Sequence, residues 1–264
     1  MQYKLIAAIV IALFMTLSGC QKVISLKVNN TAEKYVIEGN ITNRPGPYTV
    51  TIGQTDNVFD DYSFKGISQA NVIIADNAGN RETLQEVQPG VYQTATLAGV
   101  EGRTYDLHIT VGGQVFTSSS VMPHQVNLDS LYVEQLQNFT KTVKVVVAVF
   151  TDPPEKGNCY RVNQYINGAL DRTLYYENDD FINGQLQSQP LLRPDPDSTL
   201  HSGDRVDVEM QCIDYPVYEY WYSVDQSSLG NGSDIPANPV TNIQGGALGY
   251  FSAHTSQTRS IIVK

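Results

Sequence analysis

Histidine, cysteine and cationic residues are scarce in this sequence. The four histidines, His108, His124, His201 and His254, lie far apart, and none has a histidine or cysteine two to four positions on. That spacing gives no zinc site of the helical or knuckle type, and no HExxH or zinc-spaced cysteine pair occurs. His108 lies between Leu107 and Ile109 and reads as an exposed strand position. There is no GxSxG elbow, since GISQA at 66–70 lacks the second glycine. DNAGN at 76–80 has too few acids for a calcium loop. The glycine-rich IQGGALGY at 243–250 has no following lysine, so it is no phosphate cradle. Lysine and arginine number 17 against 27 acids, a net charge of −10. So acidic a chain is a poor partner for nucleic acid or for an anionic lipid surface. After the N-terminus no long apolar run occurs, so no transmembrane helix is expected. No catalytic constellation, metal site or cofactor motif is legible, and the expectation is a non-enzymatic protein.

What is present begins at the N-terminus. Lys4 precedes LIAAIVIALFMTL, an apolar run of 13 residues broken only by Thr16, and then Ser18, Gly19 and Cys20. A charged start, a short apolar core and small residues make a secretory signal. The tetrapeptide Leu17-Ser18-Gly19-Cys20 resembles a bacterial lipobox, whose cysteine thiol receives the diacylglycerol. Residues 1–19 are therefore expected to be a signal peptide and Cys20 a lipid attachment site. Two or three acyl chains anchor a protein stably, at about 0.8 kcal/mol per buried methylene.

Beyond residue 20, alternating and β-branched segments dominate. VISLKV, KYVIEGNI, YTVTIGQ, ANVIIAD, VYQTATL, RTYDLHITV and QVFTSSS read as strands up to residue 120. RPGP, DNAGN, QPG and GG supply turns between several of them. VNLDSLYVEQL, TVKVVVAVF, CYRVNQYIN, LDRTLYYE, RVDVEMQCI and RSIIVK form a second set. One segment, 216–229, sets Tyr218, Trp221, Tyr222 and Asp225 at helical spacing and predicts a short aromatic helix, mainly for core packing. The fold class is all-β: an N-terminal sandwich over 20–124, then a second β-rich domain over 125–264 with that one helix.

Cys159 and Cys212 remain after the lipidated cysteine. Outside the cytoplasm thiols tend to pair. Cys212 shares the apolar face of its strand, while Cys159 sits with Arg161 and Asn163 on the other face of its own. A disulfide and two separate thiols both stand as readings. Three segments, 55–69, 178–204 and 230–250, are long for loops and are candidates for function. The first carries Phe59, Tyr62 and Phe64 beside Asp60 and Asp61. Aromatics on a polar loop can grip a peptide or glycan, or fold back onto the sheet.

Residues 70–123 resemble the transthyretin-like or carboxypeptidase-regulatory-like β-sandwich: an Ala-x-Val strand, an Asp-x-x-Gly turn, Gly-x-Tyr and Gly-x-x-Tyr-x-Leu. CQKVISLKV at 20–28 and NPVTNIQGGALGYFSAHT at 238–255 together resemble the Bacteroidota lipoprotein family called domain of unknown function four-two-four-nine. The matching positions at the second end are Asn238, Pro239, Asn242, Ile243, Gly245, Gly246, Gly249, Tyr250 and Phe251. The resemblance implies an outer-membrane lipoprotein, more at the cell surface than the periplasmic face, serving as accessory to a TonB-dependent transporter in peptide or glycan uptake. Gln21 and Lys22 stand where surface-exposed members often carry acids. The alternative is a structural or adhesive surface lipoprotein without a transporter. Asp129-Ser130-Leu131 and Asp197-Ser198-Thr199 resemble the Bacteroidota O-glycosylation acceptor, which makes Ser130 and Ser198 candidate glycan sites.

Overall fold

Period-two alternation becomes strand almost wherever the sequence carries it. In YVIEGNIT, Ile37 and Ile41 are buried while Glu38 between them reaches solvent, as a half-buried strand requires. The computed structural model describes residues 33–55, 64–195, 197–228 and 238–264. The expected strand VISLKV therefore lies outside the described residues. The first eight strands are β1 (Tyr35–Thr42), β2 (Thr49–Gln54), β3 (Asn71–Asp76), β4 (Arg81–Thr83), β5 (Gln85–Gln88), β6 (Val91–Gln93), β7 (Thr104–Val111) and β8 (Gln114–Val121). Then come β9 (Leu128–Asn138), β10 (Lys141–Thr151), β11 (Cys159–Ile166), β12 (Ala169–Leu170), β13 (Tyr175–Asn178), β14 (Leu186–Pro190) and β15 (Arg205–Ile213). Helix α1 (Tyr215–Ser228) and the long strand β16 (Leu248–Ile262) close the chain.

The strands form three sheets. A long sheet runs β12-β11-β15-β16-β1-β2-β6-β5, with β13 also on β11. A second runs β4-β3-β7-β8 and a third β14-β10-β9. One core gathers Ile37, Ile52, Val72, Ile74, Tyr105 and Phe116 from the long sheet and the four-stranded one. Another gathers Val146, Phe150, Tyr160, Val162, Val208 and Met210 from the long sheet and the three-stranded one.

β16 joins the two sandwiches. Leu248 to His254 pairs parallel with Val36 to Thr42 of β1. Thr255 to Ile262 pairs antiparallel with Cys212 to Arg205 of β15. Phe251 and Ala253, with Ile243 and Ala247 just before the strand, therefore sit in the first core. The expected division at residue 124 is corrected on this point. The first sandwich is completed by residues 243–254, and Glu33–Lys264 is one compact unit.

Helix α1 forms where the aromatic spacing predicts it. Asp214 caps it: its carboxylate accepts the Val217 N–H at 3.3 Å. The other carboxylate oxygen accepts the Ser120 hydroxyl at 2.8 Å and the Val121 N–H at 2.9 Å, which ties the helix start to β8. Val217 is buried with Cys159, Ile213 and Tyr250, so the helix packs on the outer face of the long sheet.

Candidate binding face

Cys20, Phe59 and Tyr62 lie outside the described residues. Phe64 is 60% exposed, and its ring lies over Gly53, where an added Cβ would come within 2.9 Å of it. Ser130 is exposed on β9. Ser198 donates its hydroxyl to Asp195 at 3.2 Å within a turn. The disulfide reading is corrected: Cys159 and Cys212 are both free and buried. In the β11–β15 ladder Cys159 faces Ile213 and Cys212 faces Tyr160. That offset of one residue sends the two thiols to opposite faces of the sheet. His201 has Asp204 as its acidic neighbour at 3.8 Å, while Asp197 pairs with Lys141.

The same parity builds the most chemically equipped surface of the described chain. On β11, Tyr160 and Val162 point into the second core, so Arg161 and Asn163 point out. Their partners on β15 are Gln211 and Glu209. On β16 and β1 the adjoining outward residues are Tyr250 and Glu38, which face each other in register. Helix α1 lays Tyr220 and Trp221 over this face. The Arg161 guanidinium sits 3.7 Å from the centre of the Trp221 ring, a stacked cation–aromatic pair. Tyr250 lies 4.8 Å from Tyr220 and 5.2 Å from Trp221, ring centre to ring centre.

Hydrogen bonds fix the polar half. Glu209 accepts from Ser256 Oγ at 2.6 Å, Asn163 Nδ2 at 2.9 Å and Gln211 Nε2 at 3.1 Å. Burial works to raise the Glu209 pKa, but these three donors outweigh it and hold the carboxyl below its ordinary range. Arg161 donates to Gln211 Oε1 at 3.3 Å, and desolvation lowers its pKa. Desolvation raises Glu38, against the pull of Arg161, although the side chain still reaches solvent. Burial pushes Tyr220 up to about 12. The result is a half-buried cation on an aromatic wall, with a fixed carboxylate beside it and amide donors around it. Such a set suits recognition of hydroxyl, amide or carboxylate groups.

Other polar groups on the sheet are structural. Ser252 Oγ and His254 Nδ1 are 2.9 Å apart, but they are only 1% and 3% exposed, so no substrate reaches them. Burial lowers the His254 pKa to about 4. Cys159 is pushed up to about 12, first by burial, so it stays a thiol. Among the described residues no group of three or more His, Cys, Asp or Glu side chains is placed to hold a metal ion.

The Asn-Pro to Tyr-Phe segment locks β16 in place rather than forming a pocket. Asn242 mimics a strand: its Nδ2 donates to Phe251 O at 2.7 Å and its Oδ1 accepts the Phe251 N–H at 3.0 Å. Gly249, at φ +97°, lets the backbone of β16 approach Ile37. Sequence reasoning missed Arg161, Trp221, Glu209 and Glu38 as a group. The available signal was that two strands, β11 and β15, both alternate core residues with ionisable or amide ones.

Two β-sandwiches stitched by a shared strand, with a polar and aromatic outer face, define an all-β protein. The chain belongs to the family described as Domain of unknown function (DUF4249), whose model matches residues 21–260. Among solved structures it is similar to a two fibronectin type-III domain segment from chicken tenascin, at 11% identity and a TM-score of 0.22, over 68% of this chain and 90% of that one. A search of curated proteins finds no match.

Proposed function

We propose that this chain is a lipid-anchored outer-membrane protein, held by acyl chains on Cys20, that serves as a non-catalytic binding subunit of a TonB-dependent uptake system. Its ligand is a peptide or glycan. The observation that carries the binding reading is Arg161, half-buried on the Trp221 ring beside Glu209 and Glu38. Desolvating a cation is costly unless it is used. The arrangement leaves most of the guanidinium donors unspent on described side chains, with one hydrogen bond, to Gln211. A ligand acceptor on that edge would strengthen in the low local dielectric. The lipobox tetrapeptide Leu17-Ser18-Gly19-Cys20 supports the membrane setting.

Trp221 is the sole tryptophan of the chain, so intrinsic fluorescence reads this face without a label. Titration with mixed tripeptides and with mixed oligosaccharides, separately, gives a saturable change with one of the two pools. Arg161→Gln abolishes it while the folded spectrum persists. A flat titration with both pools turns the assignment to the alternative, a structural or adhesive lipoprotein.

A further inference from the structure

Among the described residues the second sandwich has an open side, and its backbone is arranged to take another strand. β9 is an edge of the three-stranded sheet, and no described strand pairs with its outer side. Which of its groups are free follows from the ladder. Val146 O accepts the Leu191 N–H at 2.9 Å, so Val146 faces β14 and its neighbours Val145 and Val147 face β9. Their partners are Glu134 and Tyr132. Those two residues spend their N–H and C=O groups on β10. Leu131, Val133 and Gln135 therefore turn theirs outward.

Across a groove of about 750 Å³ lies the far half of β16. β1 leaves it at His254. Ser256 then bonds outward, its N–H to Asn43 Oδ1 and its C=O to Arg44 Nε, both at 2.9 Å. By the same period Thr258, Ser260 and Ile262 also point their backbone groups to the open side. Leu131, Val133 and Ile261 are partly buried along the second core and give the groove an apolar floor. The walls also carry two lysines, Lys144 and Lys264, against Glu134, and the Lys144 ammonium spends one of its donors on Lys264 O at 2.8 Å.

We infer that this groove binds an extended segment of a partner protein by strand addition to β9. The segment pairs with the backbone of Leu131, Val133 and Gln135 and sets alternate apolar side chains on Leu131, Val133 and Ile261. An acidic residue of the segment meets Lys144 and Lys264. The chemistry of the edge selects the occupant: main-chain donors and acceptors at strand spacing match another extended chain, and the apolar floor asks for an alternating sequence. The site is separate from the Arg161 face and stands whether or not that face binds a nutrient.

The test uses the full chain and a synthetic peptide of alternating valine and threonine, about ten residues long to match a strand, with an aspartate at one end. Hydrogen exchange across residues 131–135 is read by mass spectrometry. Saturating peptide slows exchange there about tenfold or more. N-methylation of the residues that face β9 removes the effect, whereas N-methylation of the alternate residues keeps it. Val133→Pro deletes one outward donor without touching the β10 ladder. It weakens peptide binding about tenfold, one backbone hydrogen bond's worth. Exchanging the peptide's aspartate for lysine weakens it further. No protection at millimolar peptide, or equal protection by both N-methylated peptides, overturns the inference. The N-methylated pair decides it even if the proline variant fails to fold.

Discussion

Replacing Gly249 with alanine should disconnect β16 from β1. An alanine Cβ at this position would lie 2.0 Å from Ile37 O, 2.8 Å from its carbonyl carbon and 3.1 Å from its nitrogen. All three are backbone atoms, so no side chain can swing aside. Ile37 and Gly249 are register partners in the parallel ladder, which must open there. Two components add. Holding a non-glycine residue at φ +97° costs about 1–2 kcal/mol. Opening the ladder forfeits one or two backbone hydrogen bonds and loosens Ile37 and Phe251, for roughly 3 kcal/mol more. The total is about 4–5 kcal/mol, a large share of an ordinary domain's stability. Gly246→Ala is the control. It also has positive φ, +88°, but an added Cβ meets nothing within 4 Å, so it should lose only the strain of about 1–2 kcal/mol. Urea unfolding of both variants, followed by Trp221 fluorescence and by far-ultraviolet circular dichroism, measures the difference. Equal losses in the two variants would refute the reading of this segment as the clasp between the sandwiches.

Acid should weaken the protein through His254. Its pKa falls from 6.5 to about 4 on folding, because burial disfavours the charged ring. The unfolded chain takes up that proton first, so His254 contributes stability above about pH 6.5 that is lost as pH falls toward 4, roughly 3 kcal/mol in all. Glu38, Glu177 and Asp214 are raised by burial and slope the opposite way over their own ranges. The comparison is therefore between the wild type and His254→Asn: melting temperatures from pH 7 to pH 4 should fall less steeply in the variant, and parallel curves would contradict this. For the thiols, a thiol reagent such as Ellman's should label neither Cys159 nor Cys212 in the native protein at pH 8 and both in urea. Rapid native labelling, or a band shift on a non-reducing gel, would contradict two buried free thiols. Asp214→Ala should cost about 2 kcal/mol by removing the helix cap and the tie to β8, read by chemical denaturation.

Strands whose alternation is clean, such as β1, β7 and β15, were legible because one face is core and the other is not. β16 was not, because Gly249 to Ser256 is buried on both faces and the alternation vanishes there. Only its end, RSIIVK, reads as strand, and the shared core and the missing domain boundary follow from that one omission. β14, LQSQP, hides as a loop because it is polar and ends in proline, which an edge strand tolerates. The parity that separates Cys159 from Cys212 could be read from the sequence, but the register that makes pairing impossible is a tertiary fact. The Arg161 face was half legible. Its residues alternate with core ones on β11 and β15, yet only the docking of α1 brings Trp221 onto the guanidinium.

The most direct test of the accessory-subunit account is a pull-down from native outer membrane in mild detergent through a C-terminal tag, read by quantitative mass spectrometry. The account predicts a TonB-dependent transporter in stoichiometric amount, lost when Cys20→Ala releases the chain from the membrane. Recovery of the lipidated protein alone, with a known transporter complex intact in the same extract, would contradict it.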